Sequence, residues 1–216
     1  MNDLMNLYNS LFKTYGDLHW WPGDSRDDVI IGAVLTQRTS WKNVEMSLKN
    51  LKEHGYEKIK DIMGIDIDTL KRLIKPSGFY NNKSIVLKNI ASFFSDSMFE
   101  KFLDERYSTE LLRDELLHVK GIGCETADSI LLYAFDRPVF VIDGYTKRFA
   151  DRLGWNIGND YNSQQQYFML NIDKNINVYK NFHAMIVEHS KNICKKNPVC
   201  KMCMFSYICR HNLFSS

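Results

Sequence analysis

The chain has 216 residues, of which 44% are hydrophobic and 25% are charged, and its formal net charge is +2. This composition is typical of a folded globular protein and excludes an intrinsically disordered chain. No apolar run approaches the roughly 20 residues of a membrane helix, so we expect no membrane span and a location in the cytoplasm. A net charge this small does not by itself indicate binding to nucleic acid.

Apolar residues recur at three- and four-residue spacing along most of the chain, for example at Leu4, Leu7 and Leu11. That period predicts α-helices nearly throughout, and glycine and proline breaks divide them into about ten short segments. Serines that precede such segments mark the predicted helix starts at Ser25, Ser40, Ser108 and Ser163. The predicted fold class is all-α.

A helical hairpin is predicted in the middle of the chain. Helices over 108–119 and 125–135 flank the tight turn Lys120-Gly121-Ile122-Gly123. Two glycines around one apolar residue permit a sharp turn and a close approach of another molecule to the backbone. The amides at the start of the second helix, near Thr126, could then bind a phosphate group.

The segment after the hairpin is predicted to be an extended, buried connector. Residues 138–142, with sequence PVFVI, form the best candidate for a strand, but the run is only five residues long and has no evident pairing partner. Asp143 follows it and precedes a helical stretch, so a role as helix N-cap is one interpretation of this residue.

The C-terminal cysteines have the spacing C-x5-C-x2-C-x5-C, from Cys194 through Cys200 and Cys203 to Cys209. Four clustered thiolates suit a 4Fe-4S cluster. A zinc site is the alternative, although all-cysteine zinc sites usually use two CxxC pairs and this tail has one. Disulfides are a weaker alternative inside a cell. Lysines within the loop could contact DNA phosphates or form a solvated basic face.

These motifs together resemble the helix-hairpin-helix (HhH-GPD) DNA glycosylase superfamily, and in particular its endonuclease III-like members with an iron-sulfur loop. The segments WWPG, LTQ-x-T, KPSGFYNNK, GIG-x-E and VID-x-Y resemble the 3-methyladenine DNA glycosylase III branch. The resemblance covers most of the chain. It implies base excision repair, in which a damaged base is flipped out of double-stranded DNA and its N-glycosidic bond is cleaved.

Carried over onto matching positions, the resemblance implies specific roles. Asp143 would stabilise the cationic sugar and activate the attacking water. Trp21 and Trp41, with Trp20 adjacent, would enclose the base, although core packing is the alternative for any single tryptophan. The branch usually has phenylalanine where this chain has Trp41. Further residues are assigned in the same way: Gln37 would fill the gap left by the flipped nucleotide, Lys191 would lie near the pocket unless it is a plain surface lysine, and Lys120, Gly121, Gly123 and Thr126 would contact the DNA backbone.

Three other features depart from the pattern of the family. Bifunctional members carry a lysine two residues after the second hairpin glycine, and this chain has Glu125 there. A carboxylate cannot form an imine, so we expect hydrolysis without strand cleavage. Lys120 replaces a common proline, and the first two cysteines are separated by five residues rather than six.

The resulting hypothesis is a monomeric, monofunctional DNA glycosylase for alkylated purines such as 3-methyladenine, associated with the nucleoid and carrying a 4Fe-4S cluster. We expect two helical lobes, one over 21–135 with the hairpin and one over 1–20 and 136–216 with the cysteine loop, and DNA in the cleft between them. A mismatch or oxidised-base glycosylase and a non-catalytic damage-binding module are the alternatives.

Overall fold

The computed structural model describes residues 3–18, 23–94 and 96–214. Within these ranges the chain forms α-helices and two short 3-10 segments and contains no strand, which confirms the all-α prediction. Thirteen α-helices occur there, more than the sequence period indicates. Helices as short as Asp61–Gly64 and Arg210–Phe214 account for the difference, because four or five residues cannot display a 3.6-residue period.

The chain divides into two compact units. We call Trp21–Arg137 the hairpin unit, and Met1–Trp20 together with Pro138–Ser216 the terminal unit.

The hairpin unit contains eight of the described α-helices. They are α2 (Arg26–Leu35), α3 (Trp41–Glu53), α4 (Asp61–Gly64), α5 (Ile67–Leu73), α6 (Tyr80–Phe93), α7 (Asp96–Leu103), α8 (Thr109–Leu117) and α9 (Cys124–Ala134), with a 3-10 segment at Lys75–Ser77. The central pair is α2 and α9, whose residues are almost all buried. Burial of most of each helix explains the apolar runs Val29–Leu35 of α2 and Ile130–Ala134 of α9.

The terminal unit contains the remaining helices. They are α1 (Asp3–Tyr15), α10 (Gly144–Leu153), α11 (Tyr161–Asn171), α12 (Ile176–Asn192) and α13 (Arg210–Phe214), with a 3-10 segment at Cys200–Met202. The long helix α12 packs against both α1 and α10. Its core is aromatic: the Phe140 and Phe168 rings stack 4.6 Å apart, and Tyr179 and Phe182 meet Phe140 edge to face.

The segment that follows the hairpin unit is buried, as the sequence predicted. Val139–Ile142 are buried and have no regular secondary structure. Two side chains of α11 bind its backbone: Gln165 Nε2 donates to the Phe140 carbonyl at 2.7 Å, and the Ile142 amide donates to the Tyr161 hydroxyl at 3.3 Å. These bonds replace the strand partner that a buried extended segment otherwise needs.

Local capping signals are mostly correct. Ser25 and Ser108 accept amide hydrogen bonds at the starts of α2 and α8, at 3.1 and 3.2 Å. Ser40 is the N-cap residue of α3 but makes no side-chain cap bond. The prediction for Ser163 is wrong, because Asp160 caps α11 and accepts the Ser163 amide at 3.0 Å. A carboxylate three residues upstream is in the favourable N-cap position, so the helix begins earlier.

No helix in the described ranges combines the length and apolar character needed to cross a bilayer.

Candidate functional site

The hairpin turn contains two glycines in different conformations. Gly121 has φ +97°, and a β-carbon there would lie 2.3 Å from Cγ2 of Val86 on α6. Gly123 has φ −102°, and a β-carbon there would meet no atom within 4 Å. Packing and backbone strain therefore explain the glycine at 121. They do not explain Gly123, where the open space leaves the backbone accessible to a ligand.

Two amide side chains hold the turn from its flanks. Asn89 Nδ2 donates to the Lys120 carbonyl at 2.9 Å. Gln37 Nε2 donates to the Thr126 hydroxyl at 3.1 Å and approaches the Gly121 carbonyl at 3.4 Å. These bonds turn the carbonyls toward the protein and hold the loop in one conformation. The amides on the opposite side of the turn then point outward, where they can bind a phosphate.

The first turn of α9 follows this loop. Its N-cap residue, Gly123, supplies no side-chain hydrogen bond, so the amides of the first turn are not capped by that residue. Thr126 is only 6% exposed and lies beneath Gln37. Lys120 and Glu125 are exposed at the surface around the turn. The arrangement offers backbone donors together with one cation and one carboxylate.

Asp143 lies in the terminal unit at the start of α10. Its Oδ1 accepts the Thr146 amide at 2.7 Å, which makes it the N-cap residue of that helix. Its Oδ2 lies 3.6 Å from Nε2 of His183 on α12. The Asp143 side chain is 13% exposed, so the carboxylate is largely desolvated.

The environment of Asp143 favours its ionised form. Burial alone favours the neutral acid and would raise its pKa. His183 and the Thr146 amide act in the opposite direction and outweigh burial, so the pKa of Asp143 lies below its ordinary value. The group is therefore a carboxylate at neutral pH, with an N-cap bond that restricts its rotation.

Sequence reasoning missed His183. The residue is 40 positions from Asp143 in the chain and sits in an apolar stretch of α12, where a histidine gives no local signal. Its side chain is 4% exposed, and its ring meets Phe140 edge to face at 6.3 Å. Only the packing of α12 against α10 brings it to the carboxylate.

Only some of the residues assigned to the base pocket lie within the described ranges. Trp20 and Trp21 lie outside the described residues. Trp41 opens α3, is half-buried, and donates from Nε1 to Glu45 Oε1 at 2.8 Å. Lys191 is exposed in the last turn of α12. The enclosure of a base by two indole rings therefore stays a prediction.

Phe79, in the KPSGFYNNK segment, has an unusual backbone conformation. It is 60% exposed and has φ +47°, a left-handed conformation that is unusual for an aromatic residue. Gly78 before it also has a positive φ, of +68°. Strain of this kind concentrates at functional sites, and exposed aromatic rings can stack on bases.

The four C-terminal cysteines line one cavity of the terminal unit, together with Pro198. Burial raises the pKa of the Cys203 thiol, and the other three cysteines raise it further. Among the described residues, no three Cys, His, Asp or Glu side chains are close enough together to hold a metal ion. The four thiols thus line a common space.

Arginines of α10 hold the start of the cysteine loop. Arg152 donates to the carbonyls of Lys195 and Lys196 at 2.7 and 3.0 Å, and to the Cys194 carbonyl and Sγ at 3.0 and 3.2 Å. Arg148 donates to the Cys194 carbonyl at 3.0 Å. Charge-assisted bonds of this kind fix the loop on the same helix that begins at Asp143.

A buried histidine joins the N-terminal helix to the loop. His189 Nδ1 lies 3.0 Å from the Tyr15 hydroxyl, and its Nε2 lies 3.4 Å from Cys203 Sγ. Burial lowers the pKa of His189 to about 4, so its ring is neutral at physiological pH. A neutral ring can accept at one nitrogen and donate at the other, as this bridging position requires.

The basic residues of the loop face solvent. Lys195, Lys196, Lys201 and Arg210 are all exposed. The loop therefore presents cations on the outside and thiols on the inside.

The chain matches a known protein family. The family model for the HhH-GPD superfamily base excision DNA repair protein matches residues 31–173. A Methanocaldococcus jannaschii protein assigned to the DNA repair glycosylases is 45% identical over 210 residues, which cover 95% of each chain.

Two solved structures are similar to this chain. The H. pylori 3-methyladenine DNA glycosylase bound to 1,N6-ethenoadenine has a TM-score of 0.74 and 32% identity, covering 87% of this chain and 97% of its own. Endonuclease III in a non-covalent complex with DNA has a TM-score of 0.82 at 22% identity, covering 98% and 95%, and shows the fold.

Proposed function

The chain belongs to the HhH-GPD superfamily of base excision DNA repair proteins, and from that premise we propose that it is a monofunctional glycosylase for alkylated purines. It acts on double-stranded DNA in which the damaged base is flipped out of the helix. The observation that carries the proposal is the ionised carboxylate of Asp143, which is held by the first turn of α10.

Asp143 supplies the chemistry. Cleavage of an N-glycosidic bond builds positive charge on the sugar, and a fixed carboxylate stabilises that charge as it develops. The same carboxylate orients and deprotonates the attacking water. The product is an abasic site.

Glu125 supports hydrolysis without strand cleavage. A lyase step needs an amine that attacks the sugar and forms an imine, and an exposed carboxylate in the first turn of α9 cannot do so. Lys120 is exposed on the other side of Gly121, where we assign it to phosphate contact.

The preference for alkylated purines follows from the chemistry of the base. A purine such as 3-methyladenine carries a positive charge that already weakens the glycosidic bond, so strong acid catalysis on the base is unnecessary. Electron-rich indole rings favour such a cation, and we assign Trp21 and Trp41 to this role with Trp20 beside them. The likeness to the H. pylori enzyme supports the same class of substrate.

We assign DNA binding to the backbone amides around Gly123 and to the exposed lysines of the cysteine loop. The amides bind one phosphate, and the cations add a salt-dependent attraction. Gln37 would enter the gap left by the flipped nucleotide, which requires its amide to leave the Thr126 hydroxyl, and Lys191 would lie near the base.

The cysteine loop suits a 4Fe-4S cluster. Four thiols line one cavity, and Arg152 already directs a guanidinium at one of them, which compensates the negative charge of a thiolate-bound cluster. Cys194, Cys200, Cys203 and Cys209 would hold it. Its role would be structural: it would order the loop and its lysines. The residues that act on the sugar are elsewhere.

The proposal is tested with an excision panel. Duplexes that carry 3-methyladenine, T·G, U·G or an oxidised base are incubated with the protein and with Asp143→Asn. We expect release of 3-methyladenine by the wild type only, with equal DNA binding by both proteins. Release confined to mismatches or oxidised bases would overturn the alkylation assignment. Binding without release of any base would indicate a damage-binding module.

A further inference from the structure

We propose that His183 is a positioning residue for Asp143, which acts through Oδ2 to hold the carboxylate ionised and in one orientation. The inference rests on the proposed role of Asp143 and extends it to a residue of another helix. Three features of the terminal unit support it: the geometry of the pair, the burial of both groups, and the engagement of the neighbouring charges.

The geometry assigns one partner to each oxygen of the carboxylate. The Thr146 amide binds Oδ1 at 2.7 Å, and His183 Nε2 faces Oδ2 at 3.6 Å. The second distance is within reach of an ion pair and longer than a formed hydrogen bond. Catalytic contacts are often long in a free enzyme and tighten in the substrate complex. A small rotation of either side chain closes this one.

Burial makes the pair necessary. The His183 side chain is 4% exposed and that of Asp143 is 13% exposed, so water can do little to stabilise the charge on the carboxylate. A buried carboxylate without a partner is driven toward the neutral acid, which could neither stabilise a cationic sugar nor accept a proton from water. The histidine provides the missing stabilisation from the side opposite the N-cap.

Several ionisable groups on α1, α10 and α12 make contacts other than with Asp143. Lys147 lies over the Tyr161 ring at 5.9 Å, Arg148 donates to the Ser190 and Cys194 carbonyls, Tyr15 is bound to His189, and the Tyr8 ring stacks on Phe12. Tyr179 is one turn before His183 on α12, and burial raises its pKa, so it stays neutral. Among the contacts of Asp143, it is His183 that faces Oδ2.

The rigid setting of the histidine suits a positioning role. Its ring is held edge to face against Phe140, in the connector that leads directly into Asp143. Tyr179 meets the same phenylalanine edge to face at 5.8 Å, and its hydroxyl is buried without a hydrogen-bond partner among the described residues. Tyr179 therefore provides a matched control, because it shares the packing of His183 and does not contact the carboxylate.

The test compares His183→Phe, His183→Gln and Tyr179→Phe with the wild type. Glutamine is the conservative variant, because its terminal nitrogen can occupy the place of Nε2. Single-turnover excision of 3-methyladenine is followed from acidic to alkaline pH. In parallel, the Asp143 carboxyl is titrated by carbon NMR, with its resonance assigned by its loss in Asp143→Asn.

We expect His183→Phe to lower the plateau rate about tenfold or more, since a displaced catalytic group loses its alignment. We also expect it to move both the acidic limb of the profile and the Asp143 titration upward by about one pH unit. His183→Gln should keep the plateau rate within about threefold of wild type, and Tyr179→Phe should match wild type in every measurement.

The proposal is overturned if the Asp143 titration is the same in His183→Phe as in wild type. It is equally overturned if Gln is as damaging as Phe, or if Tyr179→Phe shows the same loss. If the wild type excises no base from the panel, the proposed function fails, and the NMR titration alone then decides whether His183 controls the carboxylate.

Discussion

A β-carbon added at Gly121 would lie 2.3 Å from Cγ2 of Val86, whereas one added at Gly123 would meet open space. Gly121→Ala is therefore expected to destabilise the fold by about 1–3 kcal/mol through overlap and backbone strain. Gly123→Ala should leave stability nearly unchanged and weaken DNA binding, because its methyl group obstructs the approach of a phosphate. Thermal unfolding and DNA titration separate the two effects. Normal DNA affinity in Gly123→Ala would contradict the phosphate assignment.

A buried ion pair joins the two helices of the hairpin. Arg113 on α8 binds both carboxylate oxygens of Asp128 on α9, at 2.6 and 3.2 Å, and the Asp128 side chain is fully buried. Arg113→Met removes the guanidinium partner of a buried carboxylate and should lower the free energy of unfolding by about 3–5 kcal/mol.

A solvent-exposed ion pair on α3 serves as the control. Lys49 and Glu53 on α3 are 3.7 Å apart, with side chains 74% and 57% exposed, so Lys49→Ala should cost less than about 1 kcal/mol. Denaturant unfolding measures both variants. An Arg113→Met protein as stable as Lys49→Ala would show that the pair does not hold the hairpin together.

Because of one buried lysine, the free energy of unfolding should depend on pH in the alkaline range. Lys83 is 2% exposed and donates to the Leu35 and Ser77 carbonyls at 2.8 and 2.6 Å. Burial lowers its pKa from 10.5 to about 8. Between these two values the unfolded chain binds the proton and the folded chain has released it, so the stability of the wild type should rise with pH across that window.

Lys83→Met removes both hydrogen bonds and this pH dependence. We expect it to lose about 1–3 kcal/mol at neutral pH, because two buried carbonyls lose their donor. The deficit should grow as pH rises through the window. Lys42→Met, at an exposed position of α3, should behave as wild type throughout. Parallel denaturation curves for Lys83→Met and wild type at all pH values would contradict the interpretation.

Borohydride trapping examines the absence of a lyase amine at Glu125. The wild type should form no covalent adduct with damaged DNA, because no amine occupies the first turn of α9. Glu125→Lys should gain a trapped adduct, and Glu110→Lys, exposed on α8, should not. A covalent adduct of the wild-type protein would refute the monofunctional assignment.

Cysteine substitution examines the cluster. Cys203→Ser should purify with less iron and without the brown colour of an iron-sulfur chromophore. Cys124→Ser is the matched control, since Cys124 opens α9 in the hairpin unit and should leave iron content unchanged. Zinc in place of iron in the wild-type protein would favour the alternative site.

The capping residues show how far local reasoning reaches. Ser25 and Ser108 were predictable because a hydroxyl before an apolar-periodic segment satisfies amides within the next turn, a purely local effect. The error at Ser163 has the same origin: two local candidates stood within one turn, and the stronger acceptor, Asp160, starts the helix. Hydrophobic period and turn chemistry thus specify most helices longer than two turns.

The sequence by itself determined the all-α class, the hairpin turn, the position of Asp143 before α10 and the four clustered thiols, because each depends on residues that are close in the chain. Only the tertiary structure decided that Asp143 faces His183 and that Gly121 must lack a side chain beside Val86. It also decided that Arg152 binds the backbone of the cysteine loop. Each of these contacts joins residues 35 to 42 positions apart. Their proximity follows from the packing of one helix surface on another, which no local pattern of residues encodes.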